Sequence, residues 1–155
     1  IGFMKPPVIQ FTKEGYSKLE RDLKDYEKRR EEVIVRLQTA REMGDLSENG
    51  AYKAAKFELG GIDRELRRLR YLLQFGQIQE IKPSSTINFG HTITLKNDSG
   101  EITFMLVGTH ESNPAQKKLS TTSPFGQAVL GKKVGDTITV IAPAGPVTYT
   151  IIAVK

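Results

Sequence analysis

Two runs of apolar residues, spaced alternately three and four positions apart, constrain the fold of this chain most strongly. All but one of the members of the first run are apolar: Tyr16, Leu19, Leu23, Tyr26, Arg30, Val33, Leu37 and Ala40. All members of the second run are apolar: Tyr52, Ala55, Leu59, Ile62, Leu66, Leu69 and Leu73. This spacing places each run on one side of an α-helix, as at the core positions of a coiled coil. The sequence therefore predicts two long helices that pack together.

The segment between the two runs is short and contains two glycines. It reads Met43-Gly44-Asp45-Leu46-Ser47-Glu48-Asn49-Gly50. Helices joined by so short a connection pack as antiparallel neighbours. Thr12 is suited to cap the first helix, and Gly76 is suited to end the second. We therefore predict an antiparallel coiled-coil hairpin over residues 12–78, with arms of about 30 residues, or about 45 Å each.

The apolar period changes in the second half of the chain. Residues 79–88 contain Pro83-Ser84-Ser85 and are predicted to be a linker. Beyond them, apolar and polar residues alternate in four segments, which predicts strands over 91–95, 102–107, 137–141 and 147–152. Turn-forming residues at 97–100 and 143–146 join these strands in pairs, and Ser123-Pro124 begins a short helix. Residues 89–155 should form a small antiparallel sheet with one helix, which makes the chain α+β.

Composition excludes several classes of site. The chain has no cysteine, so disulfides and thiolate metal sites are excluded. No apolar run approaches the ~20 residues of a membrane span, and no signal peptide is visible, so we expect a cytoplasmic protein. The net charge of +5 permits a nucleic-acid partner without requiring one. Ile1, Gly2 and Phe3 precede Met4, and we interpret them as residues left from cloning.

Motifs of a self-contained enzyme are not visible in this sequence. His91 and His110 are its only histidines, and neither belongs to a catalytic or metal-binding motif. There is no Gly-x-Ser-x-Gly nucleophile motif and no glycine-rich phosphate loop. We therefore expect no hydrolase or nucleotide site within the chain itself.

Asp45 and Glu48 are the most informative pair of residues. They stand three positions apart at the turn of the hairpin, and two carboxylates there could help to hold magnesium. The same pattern is also a capping box, in which Asp45 caps the second helix and Glu48 reaches back to its backbone N–H. Spacing alone favours the capping box, and the two roles are compatible.

Arg41 and Lys56 lie on either side of the turn, one on each arm. They could contact the phosphates of a nucleic acid. The alternative is a solvated surface or ion pairs with Glu42 and Glu58, which residue pattern alone favours. The denser basic stretch at Arg64, Arg67, Arg68 and Arg70 is interrupted by Asp63 and Glu65, so a salt-bridged surface is expected there.

The turn and its flanks resemble the signature of a known family. The segment from Ala40 to Asn49, continued by Tyr52-Lys53-Ala54-Ala55-Lys56, is similar to that of the Gre transcript-cleavage factors of bacterial RNA polymerase. In the second half, Asn88-Phe89-Gly90-His91-Thr92-Ile93 and Ala128-Val129-Leu130-Gly131-Lys132 follow in the family's order. The resemblance covers essentially the whole chain from Thr12. It implies an N-terminal coiled coil and a C-terminal FKBP-like domain over residues 89–155.

The resemblance also implies a function and a set of site residues. In this family the C-terminal domain docks at the rim of the polymerase secondary channel, and the coiled coil enters the channel. Asp45 and Glu48 match the acidic pair that helps to hold the second catalytic magnesium ion and to orient a water. The polymerase then cleaves the 3′ end of backtracked RNA, so the factor is not itself an enzyme.

Further roles are implied for other residues. Arg41 and Lys56 match the basic patch that contacts the extruded RNA, and Ser123, Pro124 and Phe125 match a region that contacts the polymerase. The basic patch is modest, which is more similar to the GreA kind than to the GreB kind. We expect a monomer that binds no cofactor in isolation and shares magnesium with the polymerase.

Departures from the family pattern leave the acidic pair intact. Gly50 and Ala51 stand where the family more often has Ala and Glu, and Lys53 replaces a common His. Two other functions remain open at this point. One is a Gre-like regulator that enters the channel and inhibits polymerase without cleavage, and the other is a structural coiled-coil adaptor with no role at an active site.

Overall fold

The computed structural model describes residues 8–44 and 49–155. Its elements are β1 (Ile9–Phe11), α1 (Lys13–Arg41), α2 (Gly50–Phe75), β2 (Gly76–Ile78), β3 (Thr92–Asn97), β4 (Gly100–Val107), β5 (Lys118–Ser120), α3 (Pro124–Val129), β6 (Thr137–Ala142) and β7 (Gly145–Val154). The predicted α+β class is confirmed. Among the described residues, none of the helices has the length and apolarity needed to span a membrane. The interpretation of Ile1, Gly2 and Phe3 lies outside the described residues.

Contacts divide the chain into two units, one of which is the helical hairpin of residues 16–76. Its two helices are antiparallel, as predicted: the Tyr16 hydroxyl donates to the Leu73 carbonyl at 2.9 Å, whereas Ala40 contacts Asn49. The members of the two apolar runs that are most fully buried are Leu19, Val33, Ala40, Ala55, Ile62, Leu66 and Leu69. The heptad pattern therefore identified the interface of the hairpin correctly.

Arg30, the polar member of the first apolar run, forms an ion pair at the edge of the helix interface. The Arg30 Nε donates to Asp63 Oδ1 at 2.7 Å, and both side chains remain partly exposed. Thr12 caps α1 as predicted, because its Oγ1 accepts a hydrogen bond from the Gly15 N–H at 3.1 Å. Gly76 ends α2, and its N–H donates to the Leu72 carbonyl.

The second unit comprises Gln77–Lys155 and the described residues up to Gly15. Its main sheet has the strand order β5-β4-β3-β7-β6. The pairs β3–β4, β3–β7 and β6–β7 are antiparallel, whereas β5 pairs with β4 in parallel. The four predicted strands are therefore antiparallel as expected, and β5, which the sequence analysis did not predict, adds one parallel pair at the edge. The predicted hairpin turns are confirmed, because Asn97 pairs with Gly100 and Ala142 pairs with Gly145.

The core of this unit lies between the sheet and α3. It contains the inward-facing residues of four strands together with residues from the linker and α3: Ile87, Ile93, Leu95, Phe104, Leu106, Val129, Ile138, Val140 and Ile151. The short strands β1 and β2 form a separate two-stranded sheet that the sequence analysis did not predict. Three residues are too few for an alternating pattern to be recognised.

His91 has a structural role that explains how the irregular segment of residues 79–88 is held. Its ring is buried, its Nδ1 accepts from the Asn88 N–H at 3.1 Å, and its Nε2 donates to the Lys82 carbonyl at 2.8 Å. We expect His91→Ala to destabilise this unit by about 1–3 kcal/mol, because a buried ring and its two hydrogen bonds to the backbone are lost. Urea denaturation measures this change. His110→Ala is the matched control, and a change of similar size there would contradict the role of His91, since His110 is exposed.

Candidate functional site

The motif that suggested a function lies at the turn between α1 and α2. Asp45 and Glu48 fall outside the described residues, so their catalytic and magnesium-holding roles stay predictions. The residues on either side are described, because α1 ends at Arg41 and α2 begins at Gly50. The site can therefore be built from the helix ends that hold the turn.

Asn49, and not Asp45, is the N-cap of α2. Its backbone is extended, and its Oδ1 accepts a hydrogen bond from the Tyr52 N–H at 3.0 Å. The capping box predicted for Asp45 and Glu48 is therefore wrong, because both residues precede the N-cap. Asn caps helices as well as Asp does, and Asn49 stands at the required distance before the second apolar run. The two carboxylates are consequently not needed to start α2.

The same Asn49 side chain also contacts the other arm of the hairpin. Its Nδ2 donates a hydrogen bond to the Ala40 carbonyl at 2.6 Å. Ala40 is one of the buried core residues of the hairpin, with 2% of its surface exposed. One amide thus links the last turn of α1 to the first turn of α2. Sequence reasoning missed this residue, although an Asn three positions before an apolar run was a usable signal for the cap.

Arg41 lies at the end of α1 and packs against an aromatic ring of α2. Its Cζ is 5.8 Å from the ring centre of Tyr52, which is within the range of a cation–π interaction. Arg41 is exposed to solvent, and it forms no ion pair with any carboxylate in the described part of the chain. Its guanidinium thus lies on the exposed surface at the end of α1.

Lys56 is also exposed, and it does not pair with Glu58, which the sequence offered as its ion-pair partner. Glu58 instead accepts two hydrogen bonds from Arg36, both at 2.9 Å, and this bonding raises the pKa of Arg36. No ion pair joins Arg41 or Lys56 to Glu42 or Glu58 among residues 8–44 and 49–155. The ion-pair alternative is therefore not realised at these contacts.

Arg41 and Lys56 occupy equivalent positions of the heptad, each directly after a buried core alanine. Glu27 and Arg70 occupy the same heptad position farther along the arms, and their charged groups approach to 4.0 Å across the interface. Residues at this position on both helices therefore flank the same side of the hairpin. Arg41 and Lys56 accordingly lie on one flank, next to the turn.

The denser basic stretch of α2 behaves largely as predicted. Arg68 pairs with Glu65, and hydrogen bonding from Arg68 lowers the pKa of that carboxyl. Asp63 pairs with Arg30, and Arg70 lies near Glu27. The expected salt-bridged surface is thus present, and it leaves this stretch less available to a ligand than the flank beside the turn.

The three residues predicted to contact a polymerase lie together at the start of α3. Ser123 caps this helix, because its Oγ accepts from the Gly126 N–H at 3.1 Å and donates to the Ser120 carbonyl at 2.7 Å. Phe125 is half-buried, and its ring centre lies 5.8 Å from those of Phe104 and Tyr149. Ser123 and Phe125 therefore have structural roles.

Pro124 is the exposed member of this trio. It borders an apolar groove of about 180 Å³ that Phe125, Ile141 and Tyr149 also line. Ile141 is 75% exposed, so an apolar surface is accessible beside Pro124. A contact with a protein partner at this place stays a prediction.

The magnesium ligands predicted at the turn are two carboxylates. Within the described residues, no three His, Asp or Glu side chains are grouped so that they could hold a metal ion. Two carboxylates such as Asp45 and Glu48 supply hard oxygen ligands of the type that suits magnesium, whose remaining positions are filled by waters or substrate phosphates. The chemistry of this donor set fits a shared ion.

Comparisons with known proteins agree over both halves of the chain. The family model "Transcription elongation factor, N-terminal" matches residues 9–78, and "Transcription elongation factor, GreA/GreB, C-term" matches residues 82–155. Transcription elongation factor GreA 1 of Lactiplantibacillus plantarum is 38% identical over 98% of this chain and 99% of that protein. Transcription elongation factor GreA of Thermosipho melanesiensis is 39% identical over 98% and 99%.

A solved structure is also similar to this chain. The crystal structure of GreA factor homolog 1 (Gfh1) of Thermus thermophilus covers 96% of this chain and 99% of that protein, with 27% identity and a TM-score of 0.47. The family assignment follows from the sequence matches, which extend over nearly the full length of this chain. The chain belongs to the GreA/GreB family of transcription elongation factors.

Proposed function

We propose that this elongation factor binds bacterial RNA polymerase through its secondary channel and stimulates cleavage of the 3′ end of backtracked RNA. Asp45 and Glu48 would be the groups that it supplies to the polymerase active site. The observation that carries the proposal is the acidic motif at the turn of a two-helix hairpin in a member of this family. The N-cap role of Asn49 supports the proposal, because the two carboxylates are then not required to cap α2.

The proposed reaction is hydrolysis of an RNA phosphodiester by the polymerase. Magnesium supplies Lewis-acid activation of the phosphate and of a water when it is bound. Asp45 and Glu48 would help to hold that ion and orient the attacking water from the factor's side. A cleavage assay on stalled elongation complexes tests this function directly, with release of short 3′ RNA fragments as the expected result. Inhibition of transcription without fragment release would instead favour the channel-blocking alternative.

Arg41 and Lys56 would hold the RNA end near this pair. Both are exposed, lie on one flank of the hairpin next to the turn, and have no carboxylate partner in the described part of the chain. RNA presents phosphates at regular spacing, and such contacts position a nucleic acid without reading its sequence. Pro124, beside its apolar groove, is the proposed contact of the C-terminal unit with the polymerase.

Neutralising the flank should weaken cleavage. We expect Arg41→Gln with Lys56→Gln to lower the cleavage rate at limiting factor about tenfold, because each charge-assisted contact contributes about 1 kcal/mol or more. Initial rates of fragment release measure this effect. Lys18→Gln with Arg36→Gln is the matched control, since both residues are exposed cations already paired with Asp22 and Glu58. Equal losses in the two double variants would contradict a specific role for the flank.

A further inference from the structure

Asn49 joins the two arms of the hairpin immediately beside the acidic motif. We propose that Asn49 is a positioning residue, whose amide fixes both ends of the segment that carries Asp45 and Glu48. The proposal rests on the proposed function, because its consequence is measured as RNA cleavage. It assigns Asn49 no contact with RNA or metal.

The two hydrogen bonds of Asn49 use both halves of its amide. The Nδ2–H donates to the Ala40 carbonyl at 2.6 Å, and Oδ1 accepts from the Tyr52 N–H at 3.0 Å. The Ala40 carbonyl, in the last turn of α1, also accepts from the Met43 N–H at 3.1 Å. The Tyr52 N–H belongs to the first turn of α2, where backbone N–H groups have no partner within the helix. A planar amide offers a donor and an acceptor at fixed separation, which neither a hydroxyl nor a carboxylate provides.

The two points that Asn49 joins lie next to buried core residues of the hairpin. Ala40 is 2% exposed and Ala55, one turn into α2, is 3% exposed, so both arms are anchored in the core next to the turn. The two hydrogen bonds of Asn49 therefore hold the described ends of the turn relative to each other.

A role as helix cap alone would explain the hydrogen bond to the Tyr52 N–H but not the one to the Ala40 carbonyl. Ser and Asp cap helices about as well as Asn, so Asn49→Ser and Asn49→Asp retain an acceptor for the first turn of α2. Neither variant has an amide N–H to donate to the Ala40 carbonyl. Asn49→Ala loses both contacts. These three variants therefore separate the cap from the link between the arms.

The positioning role predicts that Asn49→Ser lowers the maximal cleavage rate about 10- to 100-fold, since a displacement of about 1 Å can cost 10²-fold. The factor concentration that gives half-maximal cleavage should stay unchanged, because the proposed polymerase contact at Pro124 lies in the other unit. The midpoint of thermal unfolding should also stay close to that of the wild type. Asn49→Asp should show the same loss. If Asn49→Ser and Asn49→Asp cleave like the wild type while Asn49→Ala does not, Asn49 is only a cap and the proposal is overturned.

Asn97→Ser is the matched control for the chemical change. Asn97 also accepts a backbone hydrogen bond within a turn, from the Ser99 N–H at 2.9 Å, but it lies in the β-sheet unit. We expect it to leave cleavage unchanged. A loss equal to that of Asn49→Ser would contradict a role specific to the hairpin turn.

Hydrogen exchange separates this proposal from the proposed function. If wild-type protein releases no RNA fragments, the proposed function fails, and the link between the arms is then decided by exchange alone. Asn49→Ser should speed amide exchange at Glu42, Met43 and Gly44, at the end of α1, at an unchanged unfolding midpoint. Exchange equal to that of the wild type would overturn the link, whatever the outcome of the cleavage assay.

Discussion

Asp45→Asn combined with Glu48→Gln should lower stimulated RNA cleavage by about 10²–10⁴-fold, the range expected when a positioned acid–base group is lost. Both replacements keep the size of the side chain and remove its charge. The amides can neither neutralise a divalent cation nor orient a water as a carboxylate does. The helical hairpin should be unaffected, because Asn49 supplies the N-cap of α2. Gel analysis of fragments released from backtracked complexes measures the rate.

The control for this experiment lies in the same turn. Glu42 is an exposed carboxylate just after α1, and Glu42→Gln removes one negative charge near the motif. We expect it to retain cleavage within about threefold, the size of a surface electrostatic effect. Competition binding should show that every variant still occupies the polymerase. Full cleavage by the Asp45 and Glu48 double variant would contradict the account.

Leu66→Ala should destabilise the helical hairpin by about 2–5 kcal/mol. Leu66 is 1% exposed and belongs to the buried cluster that includes Val33, Ala55 and Ile62. Shortening this side chain leaves a cavity between the two arms. Amide exchange of α1 and α2 measures the loss for the hairpin separately from the β-sheet unit, which has its own core.

Val35→Ala is the control within the same hairpin. Val35 is 60% exposed on the outer side of α1, so its truncation removes little buried surface. We expect a change within about 0.5 kcal/mol, as for ordinary surface substitutions. Equal destabilisation by the two variants would show that the apolar runs are not the source of the hairpin's stability.

The hairpin could be predicted from the sequence because its signals are repetitive. Seven-residue periods extend over both arms, and a single misplaced residue such as Arg30 does not obscure them. Thr12 and Gly76 marked the outer ends of the helices correctly, since Thr12 stands shortly before the first apolar run and Gly76 shortly after the second. A long repeated pattern can therefore be recognised from the sequence without knowledge of tertiary contacts.

Elements defined by tertiary contacts could not be predicted. The strands β1, β2 and β5 have three residues each, and their pairing depends on partners distant in sequence. The parallel contact between β5 and β4 has no local signal. The role of His91 is similar, because the Lys82 carbonyl that it binds becomes its partner only when the chain has folded.

The candidate site was predicted in part. Spacing favoured Asp45 as the cap of α2 and was wrong, since Asp and Asn are equally good caps and both occur in the turn. The structure assigns the cap to Asn49. For Lys56, the sequence offered Glu58 as a partner, but Arg36 on the other arm pairs with that carboxylate. Contacts across a helical interface are not visible in local sequence.

The central claim is that Asp45 and Glu48 help the polymerase to hold a magnesium ion, and a magnesium titration of RNA cleavage tests it most directly. Cleavage in backtracked complexes is measured across magnesium concentrations with polymerase alone, with saturating wild-type factor and with the Asp45→Asn, Glu48→Gln variant. We expect the wild-type factor to lower the concentration required for half-maximal cleavage, and the variant to return it to the value for polymerase alone. The same magnesium requirement with wild-type factor, with the variant and with polymerase alone would contradict the claim.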